Sequence, residues 1–333
     1  MEQGSAATAN RTSFDDLPLE IQVWVTSFLT QHDLTVCVRV SQPWRTLFHP
    51  YLWRHLEIVQ WEDTHIGKRR WLLTSAEVED CNEWDEEEVA KFIGLSSAGW
   101  RRLVFRAVHK ERYPYVIFDS KSFKVLHACS STTLEIVRFD THSSISGSQI
   151  HQLLCSAPKL KQAYFSGWPN LVEGGWMDAR AIVGSEWVCL DLEVFGCRIG
   201  NNPRPDITRD IAGRPSVDVY GSPLESITLQ RQIYSKLARL TKLRVLRLGF
   251  EIDSTLPEYL LGEKEDLRQY SCIAMTLDSG LDLLQGLKEL KVVGLEDMEV
   301  YIGERERTWF EEHWPNARVQ IAGYRDNDGI EIL

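Results

Sequence analysis

Two hydrophobic rhythms divide the chain. From Asp15 to Trp53 the apolar positions fall at helical spacing: Ile21, Val25, Phe28 and Leu29 recur at i, i+4, i+7 and i+8, which puts one stripe on one helix face. Pro18 suits a first helical position, and Glu20 in the first turn meets the helix dipole favourably. Gln31-His32-Asp33 is a polar break, with Asp33 placed to cap a second helix running from Leu34 to about Ser41. Pro43 opens a third, on which Trp44, Leu47 and Phe48 share a face before Pro50 interrupts. Three short helices of this length hold too little core to be robust alone.

After Trp53 the rhythm changes. The pattern apolar-x-x-apolar-x-apolar starts at Trp53-Leu56-Ile58 and recurs at Trp100-Leu103-Phe105, Leu134-Val137-Phe139, Leu160-Ala163-Phe165, Cys189-Leu192-Val194, Leu224-Ile227-Leu229, Leu243-Leu246-Leu248, Leu287-Leu290-Val292 and Trp314-Ala317-Val319. Its last two apolar positions alternate onto one face of a short strand, while the first packs beneath the preceding turn. One such strand cannot bury its apolar face, but stacked repeats cover one another and build a continuous core. Residues 118–129, 148–157, 232–240, 279–286 and 305–314 carry helical spacing between the strands, and Pro158 and Pro315 stop helices just before a strand. The expected fold is therefore α/β: N-terminal helices, then a solenoid with a curved parallel sheet and outer helices.

The expected organisation is a polar disordered leader over 1–13, the helical module over 14–52, and an irregular solenoid over 53–333 with insertions at about 59–99 and 196–223. In the first insertion Lys68-Arg69-Arg70 precedes an acidic run from Glu77 to Glu88 that leads into Val89, Phe92, Ile93 and Leu95. It reads as a loop followed by a helix with an acidic first turn, or as a contact for a basic segment of a partner. The second insertion carries Asn201-Asn202-Pro203-Arg204-Pro205 and Gly213-Arg214-Pro215, which is turn chemistry and predicts an extended loop.

Composition narrows the function. With 333 residues, 43% of them hydrophobic, the chain is long enough for a module plus a repeat array. Its 37 basic and 48 acidic residues give a formal charge of −11, which argues against a phosphate-binding surface and against nucleic acid as partner. No apolar run is long enough to span a bilayer and the start is not of the secretory kind, so the expected place is intracellular, cytoplasmic or nuclear, with no membrane partner. Seven scattered cysteines fit reduced thiols, and the Asn10-Arg11-Thr12 sequon is then a chance match. No Cys or His spacing suggests a metal site, and neither a nucleophile elbow nor a phosphate loop occurs. The expectation is no catalysis, no metal and no cofactor.

Leu17-Pro18 followed by Glu20-Ile21, then Asp33-Leu34, Val38 and Val40, and Ser41 three residues before Trp44, resembles the F-box, the module that docks substrate receptors on the Skp1 adaptor of cullin-RING ubiquitin ligases. Pro43 beside the Trp departs from the family. The resemblance implies that Leu17, Pro18, Ile21, Leu29, Leu34, Val38, Val40 and Trp44 form or support a Skp1-facing surface. The strand and helix alternation resembles the leucine-rich-repeat family, with two departures: repeat starts lie 19 to 47 residues apart and no Asn ladder is evident. F-boxes followed by divergent leucine-rich repeats are similar to a class of fungal and animal substrate receptors.

If the strand frame holds, the residues between and after the last two apolar positions of each pattern face out on the concave sheet. Those proposed for binding a protein target are Arg106, Arg138, Asp140, Tyr164, Glu193, Phe195, Gln230, Arg247, Lys291 and Arg318, with Glu57, Ser166, Thr228 and Gln320 on the same face. Mixed charge around aromatic anchors suits a protein or peptide ligand. The resemblance thus implies a substrate-recognition subunit of a Skp1-cullin-F-box ubiquitin ligase; the alternative is a leucine-rich-repeat scaffold with no part in ubiquitin transfer, and a third, more distant reading is an enzyme with a site in the 196–223 insertion.

Overall fold

The protein is seen in a computed structural model, which describes residues 14, 17–26, 28–52, 55–58, 74–79, 85–106, 115–116, 118–140, 142–166, 176–204, 223–249, 272–296, 298, 300 and 302–321. The expected leader, the sequon, Trp53, Lys68-Arg69-Arg70 and positions 205–222 of the second insertion lie outside the described residues. In chain order the elements are α1 (Leu19–Thr26), α2 (Gln31–Val40), α3 (Gln42–Leu52), β1 (His55–Ile58), β2 (Ser75–Glu79), α4 (Glu86–Ile93), β3 (Arg102–Arg106), β4 (Tyr115–Val116), α5 (Ser120–Ser130), β5 (Ile136–Asp140), β6 (His142–Ser143), α6 (Gly147–Ser156), β7 (Gln162–Phe165), β8 (Trp176–Asp178), α7 (Ala179–Val183), β9 (Val194–Gly196), β10 (Arg198–Gly200), α8 (Pro223–Leu237), β11 (Val245–Arg247), a 3-10 helix (Leu281–Gly286), β12 (Val292–Gly294), α9 (Glu304–His313) and β13 (Arg318–Gln320).

Nine strands form one sheet in the order β1-β2-β3-β5-β7-β9-β11-β12-β13, every adjacent pair parallel. Each strand thus lies beside its predecessor, as a solenoid requires. Two short parallel pairs, β4 with β6 and β8 with β10, stand apart from it. The architecture is α/β, with helices at the N-terminus and repeats of strand plus outer helix after them.

Among the described residues, α4, α5 and α6 pack on the inward face of the sheet. Val89, Phe92 and Ile93 of α4, Phe123 and Leu126 of α5, and Ile150, Leu153 and Leu154 of α6 share a core with the inward strand residues. Two inward rows run across the strands. One is Ala76, Leu103, Val137, Ala163, Phe195, Leu246 and Val293; the other passes through Phe105, Phe139 and Phe165, whose rings stack at 5.0 and 5.8 Å. The small Ala163 sits beside the large Phe195, so volume is shared between neighbouring repeats. Trp100 is fully buried and donates its indole N–H to the Ile93 carbonyl at 2.8 Å.

Four expectations need correcting. Leu224-Ile227-Leu229 is not a strand: it opens α8, where Ser226, Leu229, Gln230, Ile233, Tyr234 and Leu237 are buried at helical spacing while Leu224 is 74% exposed. Residues 59–99 are not one insertion, because β2 and α4 lie within them. The inward frame at β9 is Leu192-Phe195-Cys197 and at β12 Leu290-Val293-Leu295, each three residues later than expected. Residues 281–286 form a 3-10 helix rather than an α-helix. The acidic run does end in a helix with an acidic first turn: Asp85 caps α4, and its carboxylate and that of Glu88 each accept the other's backbone N–H.

Candidate functional site

The N-terminal helices make the first candidate surface. Thr30 rather than Asp33 caps α2; its hydroxyl accepts the Asp33 N–H at 3.2 Å, and the Asp33 carboxylate accepts the Thr30 N–H at 3.0 Å. Those bonds, the Thr30 hydroxyl first, hold the Asp33 carboxyl below its ordinary value. Ser41 accepts the Trp44 N–H at 3.3 Å at the start of α3. Pro43 is the second residue of α3, where its missing donor costs nothing, and the helix runs on through Pro50 to Leu52 instead of stopping.

Leu34 and Phe48 are the centre of a small core, packed by Phe14, Leu29, Cys37, Val38, Trp44 and Leu47. Leu34 is therefore buried and can only back the surface from behind; Leu29, Val38 and Trp44 are half-buried against it, and Leu17 is half-buried as well. Pro18, Ile21 and Val40 are exposed. Sequence reasoning did not assign Trp24, Phe28 or Val36 to the Skp1-facing surface, and they are 62%, 68% and 51% exposed. Ile21, Trp24 and Phe28 fall at i, i+3 and i+7, and the rings of Trp24 and Phe28 meet edge to face at 5.1 Å. Val36 and Val40 repeat at i and i+4 on α2. Large apolar side chains held in water on two helices mark an interaction surface.

The second candidate is the open face of the sheet, opposite the helices. Strand register sets its side chains in rows. One row is Glu77, Val104, Arg138, Tyr164, Gly196, Arg247, Gly294 and Gln320, in which Val104 is fully buried; another is Ser75, Arg102, Ile136, Gln162, Val194, Val245, Val292 and Arg318. Glu77 pairs with Arg106 at 2.6 Å and Arg102 at 3.1 Å. The Arg138 guanidinium lies over the Tyr164 ring, 5.0 Å from its centroid. Arg247 binds Glu296 at 3.1 Å and donates to Gln320 at 2.5 Å.

Arg106, Arg138, Tyr164, Ser166, Arg247, Arg318 and Gln320 thus have at least part of their side chains accessible. Asp140 and Glu57 hold register positions on β5 and β1, their side chains outside what is described. Phe195 is fully buried against Trp187, and Gln230 is buried on α8, where it donates to Ser226 and accepts the Ala274 N–H; neither belongs to the open face. Thr228 likewise belongs to α8. Glu193 and Lys291 precede their strands and lie at the rim, where Glu193 pairs with Arg244.

Among the described residues the thiols of Cys155, Cys189 and Cys197 are shifted away from an activated nucleophile. Burial pushes the Cys189 thiol up to about 12 and the Cys197 thiol higher still, and burial also raises Cys155 beside His151. Among the described residues no three His, Cys, Asp or Glu side chains gather as metal ligands, and no helix is long and apolar enough to cross a membrane.

Comparison with known proteins bears on the first surface. A family model described as F-box-like matches residues 14–58, the segment that holds α1 to α3 and β1. A search of curated proteins gives no match. Among solved structures the chain is similar to a leucine-rich-repeat protein of Leptospira interrogans, at 12% identity over 74% of this chain and 72% of that one, with a TM-score of 0.20. At that score the likeness adds nothing to the fold, which rests on strand order and register.

Proposed function

We propose that the chain is a non-catalytic substrate receptor: residues 14–52 dock on Skp1, and the solenoid over 53–333 holds a protein target for a cullin-RING ubiquitin ligase. The observation that carries this reading is the coincidence of the F-box-like match with the exposed apolar side chains of Ile21 and Trp24 on α1, Phe28 in the turn after it, and Val36 and Val40 on α2. The receptor's part in the reaction would be proximity, since a bound target meets the charged conjugating enzyme at high effective concentration without chemistry from this chain. Such a subunit works inside the cell.

Co-expression with Skp1 followed by size-exclusion chromatography tests the reading, with a Leu17→Ala, Pro18→Ala, Ile21→Ala variant beside it. A one-to-one complex lost in the variant is the expected result; a folded chain that forms no complex would refute it.

A further inference from the structure

Three valines stand side by side on the open face. Val194 on β9, Val245 on β11 and Val292 on β12 are in register, each partly exposed, while the next residues along, Phe195, Leu246 and Val293, are fully buried. The core therefore does not account for them. The neighbouring row is low at the same strands, because Gly196 and Gly294 flank Arg247. The Tyr164 ring lies over Gly196, and the Arg247 stem lies over Gly294, with its charge turned to Glu296 and Gln320. Ring, methylenes and valines make a shallow apolar floor.

One end of this floor is cationic. Arg318 on β13 continues the valine row beside Val292, and Lys291 adjoins it; both are exposed. Among the described residues neither pairs with an acidic side chain, whereas Arg244 is held by Glu193 and Glu289, and Arg247 by Glu296. An apolar floor with two uncompensated cations at one end disfavours a basic segment and offers too few cations for nucleic acid.

Spacing narrows the occupant. Adjacent strands lie about 4.8 Å apart, so Val194 to Arg318 is three steps, about 14 Å; an extended segment crossing the strands advances about 3.4 Å per residue and covers that span in four. Resting on the receptor reading above, we propose that this trough takes an extended protein segment with two apolar side chains two residues apart and a carboxylate two residues further on. The apolar pair lies over Val194, Val245 and Val292, and the carboxylate meets Arg318 and Lys291.

The test uses the full chain purified with Skp1 and fluorescence anisotropy of a labelled peptide carrying Ile, Thr, Ile, Thr and Glu in that order between glycines, together with its reverse. Saturable binding of one of them is expected. Exchanging the peptide's Glu for Lys, or Arg318→Glu in the protein, should each weaken binding about tenfold, and the two changes together should recover most of the loss. Val245→Asp should abolish binding while melting temperature and adaptor complex stay unchanged. The trough is refuted if neither peptide saturates by about 1 mM on a folded, adaptor-bound chain, or if binding ignores both protein changes. Peptide binding by a chain that fails to hold Skp1 would instead refute the receptor reading and leave the trough standing.

Discussion

The ring of Tyr164 occupies the space that a side chain at position 196 would need. A Cβ on Gly196 would stand 2.4 Å from Cδ2 and 2.8 Å from Cε2 of that ring, on the strand next door. Glycine is required here by the neighbour, not by its own backbone. Gly196→Ala should force the ring off its seat and lower stability by about 1–3 kcal/mol. In a Tyr164→Ala background the same change should cost much less, and a double-mutant cycle from urea melts reads the difference.

The helical module separates surface from support. Trp24→Ala and Phe28→Ala should each weaken Skp1 binding by about tenfold or more, as truncated aromatic anchors do, and leave the melting temperature in place. Leu34→Ala should cost about 2–5 kcal/mol of module stability, because it empties the centre of the small core. Surface plasmon resonance beside a thermal melt tells the two outcomes apart.

The cap of α2 carries a pH dependence of known sign. Asp33 is depressed when folded, so its contribution is complete above its ordinary value of 3.8 and is lost as pH falls through the lower folded value. Thr30→Ala removes the hydroxyl that is the largest cause of that depression and should cost about 1 kcal/mol at neutral pH. The acid melt followed by helical circular dichroism should then be shallower in the variant than in the parent. An unchanged acid limb would refute the assignment.

Phe139 is the middle of the aromatic row, stacked at 15° on Phe105 and 23° on Phe165, with Phe118 edge-on at 5.0 Å. Phe139→Ala should destabilise the solenoid by about 3–5 kcal/mol in equilibrium unfolding.

The kind of fold is legible in the sequence because the inward positions of a stacked strand have no freedom to be polar. The frame is less so, for a reason visible at two strands. A buried residue five positions before the strand, such as Cys189 or Leu287, lets the pattern start early whenever the first outward residue is also apolar. Val194 and Val292 are those outward residues, so the side chains that make the open face distinctive are the ones that shift the frame. The strand at Ala76 and Val78 went unseen because acidic neighbours dominate the local composition. Leu224 and Ile227 imitate a strand only until Pro223 is read as the first residue of a helix. Burial of Leu34 and exposure of Trp24 depend on how three helices meet, which no single-helix periodicity encodes.

Strand order equal to chain order makes the open face a surface written in sequence. Each strand contributes its outward residues where they stand, and no distant segment interleaves between them. A substitution at Val245 is felt on β9 and β12 and fades beyond, far from the helices at the other end. On the receptor reading proposed above, target preference would drift one strand at a time while attachment to the adaptor is left alone, so that descendants of one such chain would share a ligase and differ in what they bring to it.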